Sequence, residues 1–297
     1  MRRHGPSELR NEAYFFLFTV PCLVLYTMFF ITPIILGFYY SLTNWNGIAP
    51  TFQFVGLKNF LMQLRDRSFH SSLNFTLTYA LLVVPAAVLV SFFSALFLTT
   101  VTGRSQTVYK GFLFFPALLA PIVVSLIWKQ IYTHALPWIG TALNLEILKV
   151  SLMTNMKTLK GTIQFVHIWQ AVALQTVLFV AGLQNIPEEI YDAARIDGAG
   201  FFQRLRYIVF PYIIPILNMV LILLLKQCLV LFDVIMGMTT GGPGSRTESL
   251  SVYIYKKAFE TLQVGYATSV AVTVFFIMII IATVQLNLLN KKDVNLQ

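Results

Sequence analysis

The stretch IPEEIYDAARIDGAGFFQRLRYIVFP, Ile186 to Pro211, is a polar interlude of helical character with strongly apolar runs on both sides. Pro187 suits a first helical turn, where its missing N–H would be unpaired anyway, and Glu188 and Glu189 complement the positive end of the helix dipole. Ile190, Ala193, Ala194 and Asp197 recur at three- and four-residue spacing and so share a face, until Gly198 supplies a left-handed stop. This predicts a short helix of about three turns. Beyond Gly200, Phe201 and Phe202 precede Arg204 and Arg206, and the chain turns apolar again at Tyr207, which predicts arginines at a membrane surface. A soluble-looking helix between two membrane-length segments is a candidate docking element.

The rest of the chain explains those flanks. Of 297 residues, 57% are hydrophobic and 11% charged, with a mean hydropathy of +0.73, against roughly one-quarter charged in soluble domains. The fold class is therefore all-α integral membrane. The formal charge of +9 is scattered singly between apolar runs, which excludes a nucleic-acid stripe. Cys22 and Cys228 lie far apart inside apolar runs and read as core packing. His4, His70, His134 and His167 stand alone, so no metal is assigned.

Six runs have the length of a span: about 13–40, 73–101, 111–131, 161–185, 207–238 and 265–289. They divide the chain into a cytoplasmic N-terminus, 1–12, a transmembrane domain, 13–290, with a polar loop at 186–206, and a cytoplasmic tail, 291–297. The first run is too long for a signal peptide and is expected to stay as a helix. Pro116 and Pro121 are expected to kink the third span without breaking it. The interval 134–160 suits a short interfacial helix, and the segment after Gly241-Gly242-Pro243 a surface helix. Trp128, Lys129 and Trp138 read as interface anchors. Lys and Arg divide almost evenly between the two sides, but the inner segments are shorter, and density favours the N-terminus inside.

Polar residues at membrane depth are functional candidates by default. In the fifth run these are Lys226, Gln227 and Asp233, with Lys226 and Asp233 two helical turns apart and so on one face. Either they line a substrate route or each hydrogen-bonds a neighbouring helix. Gln175 is the deepest polar residue of the fourth run, beyond Trp169 and Gln170, and as a buried amide it suits helix-to-helix bonding more than sugar binding. No catalytic constellation appears, and no GxxxxGK[ST] phosphate loop.

The 186–211 stretch resembles the EAA loop of binding-protein-dependent ABC transporter permeases, E-A-A, three residues, G, nine residues, I-x-L-P. Here it reads Asp192-Ala193-Ala194, Gly198 and Ile208-Val209-Phe210-Pro211, with Asp for the usual Glu and Phe for the usual Leu. IPEEIYDAARIDGAG, FVGLKNF at 54–60, GGPGSRTESL and YIYKKAF together are similar to the carbohydrate-uptake branch, and specifically to the first of its two permease subunits. The resemblance implies the six-helix type I importer fold, with the loop as a cytoplasmic coupling helix. It implies roles in coupling for Glu188, Glu189, Asp192, Ala193, Ala194, Asp197, Gly198 and Pro211. It points to Lys226–Leu231 as pathway, which with the polar residues at membrane depth gives Gln175, Lys226, Gln227, Leu231 and Asp233 as candidates. The implied partners are a second permease, two ATP-binding subunits that hold ATP and Mg, an extracytoplasmic solute-binding protein, a carbohydrate and membrane lipid, with no cofactor in this chain. The implied location is a prokaryotic cytoplasmic membrane, multi-pass, both termini cytoplasmic. Lys226 would also suit an anionic cargo, a sugar acid or glycerol phosphate ester. An ion-coupled carrier would show paired broken helices or repeats, and a scaffold would not need a coupling helix.

Overall fold

Asp66 opens the longest helix, Arg67–Thr100, by accepting hydrogen bonds from the N–H groups of Ser68 (2.8 Å) and Phe69 (3.4 Å), which satisfies donors the first turn leaves unpaired. The computed structural model describes residues 6–293. The expected cytoplasmic ends at 1–5 and 294–297 lie outside the described residues. Among the described residues the structure is helical, with one isolated antiparallel bridge between Thr43 and Phe54. Five helices are long and apolar enough to cross a membrane: Phe16–Ser41, Arg67–Thr100, Thr158–Gln184, Phe201–Leu229 and Val264–Asn287. A bent pair, Gly103–Leu118 with Pro121–Ala142, makes a sixth if counted as one span.

The chain forms two units, Met1–Arg65 with Ile254–Thr273, and Asp66–Tyr253 with Val274–Gln297. In the first, the Asn59 amide of the FVGLKNF segment donates to the carbonyls of Ser41 and Thr43, both at 2.8 Å. Gln63 donates to Ser269 (2.7 Å) and accepts from Thr273 (2.8 Å). The Phe16–Ser41 helix buries none of its most apolar window within the chain. Cys22 is accordingly exposed, contrary to the expected core role, while Cys228 is buried.

In the second unit the core lies between Arg67–Thr100, Met156–Gln184 and Phe210–Leu229, where Val83, Ala87, Ala95, Ile163, Val166, Phe179, Val220 and Leu224 are sealed from solvent. Small residues let these helices approach. Ser91 donates to the Val172 carbonyl and accepts from Thr176, both at 3.4 Å, the kind of interhelical bonding that holds membrane helices where no hydrophobic drive operates.

The proline expectation fails in the third span. Pro116 heads a 3₁₀ turn, Phe115–Leu118. Leu119 and Ala120 are then extended (ψ 143° and 135°) before Pro121 starts the next helix, and the two arms meet at 102°. A proline disfavours helical geometry in the residue before it, so Pro121 forces Ala120 out of the helix. The fifth span is also interrupted. Its helix ends at Leu229, Val230 and Phe232 leave helical geometry, and Asp233–Met238 is a separate helix. The segment after Gly-Gly-Pro is helical at Leu250–Tyr255, but Leu250, Val252 and Tyr253 are buried, so the first part of the expected surface helix is internal. The 134–160 interval holds two short helices, Leu136–Ala142 and Glu146–Lys149.

Candidate functional sites: an exposed loop helix and a cavity between two helix breaks

The 186–211 loop builds the first site. Its helix runs Glu188–Ile196 with Pro187 as N-cap. It ends in a Schellman arrangement: Gly198 N–H donates to Arg195 O (3.1 Å), Ala199 N–H to Ala194 O (2.9 Å), and Gly198 sits at φ +73°. The expected shared face divides. Ala194 is buried and Ile190 half-buried, whereas Ala193 and Asp197 are exposed, because the protein covers only the stripe through Ile186, Ile190 and Ala194. Glu189 and Gly198 are also exposed, and Asp192 pairs with Arg195 at 3.1 Å on the surface. Ile196 is 87% and Phe202 79% exposed. These are large apolar side chains on an otherwise polar element.

Behind the helix is a groove of about 700 Å³, lined by Glu188, Tyr191, Asp192, Arg195 and Arg204 and by Thr99 and Thr100 at the end of Arg67–Thr100. Arg204 is half-buried and its Nε is enclosed without a partner. Burial raises the Tyr191 phenol above its ordinary value, and the nearby Arg204 guanidinium opposes that shift. Downstream, Leu205–Val209 is a π-helical turn ending two residues before Pro211, itself at the start of Phe210–Leu229. The π turns Thr27–Ile31 and Ile131–Ala135 stand in the same relation to Pro33 and Pro137. In each case the proline removes an N–H donor, and the wider turn accommodates the loss.

The second site lies where the two helix breaks meet. Ala117, Leu119 and Pro121 from one break and Val230 to Val234 from the other line a cavity of about 360 Å³, together with His167, Gln170 and Gln227. Carbonyls at the breaks find side-chain donors elsewhere in the chain: Gln170 Nε2 donates to Leu119 O (3.1 Å) and Ser249 Oγ to Leu231 O (2.5 Å). Ser125 Oγ is 3.3 Å from Asp233 O, with nearer acceptors in Pro121 O and Ile122 O, both at 2.8 Å. Irregular backbone at membrane depth is tolerated where protein satisfies it, as Gln170 and Ser249 do here, or where it lines a cavity. Gly237 lets Pro121–Gln130 and Asp233–Met238 close, since a Cβ at that position would overlap Ser125.

Of the pathway candidates, Gln227, Leu231 and Asp233 line this cavity. Lys226 does not: it is exposed on the outside of its helix. The break at 230–232 ends the register that would have put Lys226 on one face with Asp233. Gln175 is also outside the cavity, fully enclosed, with neither amide atom hydrogen-bonded. His167 is the residue the sequence reading left out. It is buried, lines the cavity, and its Nδ1 is 3.1 Å from the Tyr79 hydroxyl. A signal was present, since His167, Gln170, Ala171 and Leu174 fall at helical spacing on one face and all four line the cavity.

The chain is 36% identical over 287 residues to the multiple sugar-binding transport system permease protein MsmF of Streptococcus mutans, covering 97% of this chain and 99% of that one. It is 30% identical over 287 residues to the probable starch degradation products transport system permease protein AmyD of Thermoanaerobacterium thermosulfurigenes, covering 97% of each. Among solved structures, a bacterial alginate ABC transporter in complex with an alginate pentasaccharide-bound periplasmic protein matches with TM-score 0.84 over 97% of each chain. At 16% identity that likeness is one of fold. No family model matches the chain.

Proposed function

Because this chain belongs to the ABC transporter permeases of sugar-uptake systems, we propose that its Glu188–Ile196 helix docks on an ATPase subunit and that the Asp233 cavity is its share of the sugar route. The chain is a membrane permease subunit of a carbohydrate importer, a transport protein and not an enzyme. It works with ATPase partners. The finer assembly is our reading: a second permease, two ATP-binding subunits holding ATP and Mg, and a solute-binding protein that delivers sugar from outside. So are the prokaryotic cytoplasmic membrane, the six spans, and both termini facing the cytoplasm, which puts the 186–206 loop where ATP is.

The observation that carries the docking proposal is the exposure of Ile196 and Phe202 beside the acidic residues Glu189 and Asp197. Apolar side chains exposed at the end of a capped polar helix, Ile196, and on the short helix that follows it, Phe202, are what an interface core needs. ATP-driven closure of the ATPases would move this helix, and the groove behind it, with Arg204 inside, is where the movement would enter the membrane helices. At the other site, Gln227 and Asp233 stand on either side of a helix break, so a small change in helix angle would reshape the cavity wall. The cavity lining includes one carboxylate and no Lys or Arg, and this supports a neutral carbohydrate as cargo.

The test is ATP hydrolysis by the reconstituted complex. Binding protein loaded with a neutral oligosaccharide should stimulate it and drive that sugar into vesicles. Stimulation without sugar movement, or none with any carbohydrate, would contradict the reading.

A further inference from the structure

We propose that Tyr79 and His167 form a recognition unit in which Tyr79 is a positioning residue and His167 offers an Nε2–H donor to one hydroxyl of a neutral carbohydrate. The proposal rests on the reading that the Asp233 cavity is part of the sugar route.

Tyr79 is 2% exposed and His167 7%, on the Arg67–Thr100 and Met156–Gln184 helices. Their rings stack with centroids 5.7 Å apart at 21°. The Tyr79 hydroxyl is 3.1 Å from His167 Nδ1 and 3.5 Å from the Ile163 carbonyl. The hydroxyl has a single proton, and the proposal places it on the imidazole, the shorter contact; in the other tautomer Nδ1–H would donate to the hydroxyl, the hydroxyl to Ile163 O, and Nε2 would accept instead. With Nδ1 accepting, the neutral ring carries its hydrogen on Nε2. His167 makes no other hydrogen bond among the described residues, and Nε2 is not among the enclosed atoms that lack a partner. His167 lines the cavity, and the proposal has this unenclosed Nε2 as the atom that faces it.

Tyr79 itself does not line the cavity, so its effect on a ligand passes through the imidazole. Gln175 on the same helix gives the contrast, with both amide atoms sealed and nothing to reach. The cavity therefore combines a fixed donor at His167, an acceptor at Asp233 and an amide at Gln227 that does both. Such a set matches hydroxyl groups, which donate and accept, whereas an anionic sugar would meet the Asp233 carboxylate with no Lys or Arg lining the cavity to offset it.

The experiment uses the whole complex in proteoliposomes, with sugar saturating the binding protein so that differences between variants arise in the membrane subunits. Maltose, trehalose, raffinose, maltotriose and galacturonate are screened for uptake, and monodeoxy analogues of the transported neutral sugar are then compared with the parent. In the wild type, at least one deoxy analogue should move about tenfold more slowly, the loss expected for one well-made hydrogen bond. In His167→Leu the parent should slow by a similar factor, and the discrimination against that analogue should fall to about one. His167→Gln, which keeps a donor, should restore part of it. Tyr79→Phe, which leaves the imidazole but frees it, should reduce it about threefold or more.

Asp233→Asn and Gln227→Ala should change discrimination at different hydroxyls. If they do while His167→Leu leaves every ratio unchanged, the Tyr79–His167 proposal is wrong and the cavity stands. If no variant changes any ratio, the cavity reading itself is wrong. Should His167→Leu fail to assemble, unchanged ratios in both His167→Gln and Tyr79→Phe overturn the proposal. Uptake of galacturonate alone overturns its neutral-sugar part.

Discussion

Gln170 Nε2 donates to the Leu119 carbonyl at 3.1 Å, so a side chain of one membrane helix closes the broken end of another. Gln170→Leu should leave that carbonyl without its donor at the edge of the cavity. The expected cost is about 1–3 kcal/mol, read as a lower unfolding temperature of the purified permease pair, and uptake should fall with it. Unchanged stability would mean that water replaces the amide freely.

Gly237→Ala puts a methyl group into Ser125 and Ile122. Overpacking of this kind costs about 1–3 kcal/mol. The double variant Gly237→Ala/Ser125→Gly removes the overlapping atoms and should recover most of the lost stability, and additive losses would place the damage elsewhere.

Gln175 is the opposite case, an enclosed amide with no partner. Gln175→Met removes an unsatisfied polar group from an apolar site at similar volume, and should raise the unfolding temperature while leaving uptake within about twofold. Loss of uptake at higher stability would show that Gln175 finds its partner in another state of the transport cycle.

Gly198 separates backbone from partner. At φ +73° a side chain is strained, yet a Cβ there meets nothing within 4 Å of this chain. Gly198→Asn tolerates the left-handed conformation and should reduce coupled transport mildly. Gly198→Trp should abolish uptake with normal membrane insertion, since Gly198 is exposed and its side-chain direction is open in this chain while a docked partner would meet the ring. Equal effects of Asn and Trp would mean that the strain, not the docking, matters.

Much of the loop helix could be read from local chemistry, because Pro187, the two glutamates and Gly198 act within a few residues of where they stand. The helix breaks could not. Pro116 and Pro121 are compatible with a kink or a break, and the choice depends on whether Gln170, about 50 residues away by sequence, reaches the freed carbonyl. The 230–232 break contains neither proline nor glycine, and the hydroxyl that bonds its Leu231 carbonyl comes from Ser249, about 18 residues on by sequence. A seven-residue spacing is a shared face only on an unbroken helix, which is why Lys226 and Asp233 part company. His167 looked isolated because its partner, Tyr79, lies on another helix.

The most direct measurement is ATP hydrolysis and sugar uptake in the same proteoliposomes carrying Ile196→Glu. Ile196 touches little of its own chain, being 87% exposed, so the subunit should fold and insert normally. If the Glu188–Ile196 helix docks on the ATPase, sugar-loaded binding protein should no longer stimulate hydrolysis, and uptake should fall at least about tenfold, the scale of losing one buried apolar anchor. Wild-type stimulation and uptake would contradict the docking role of this helix.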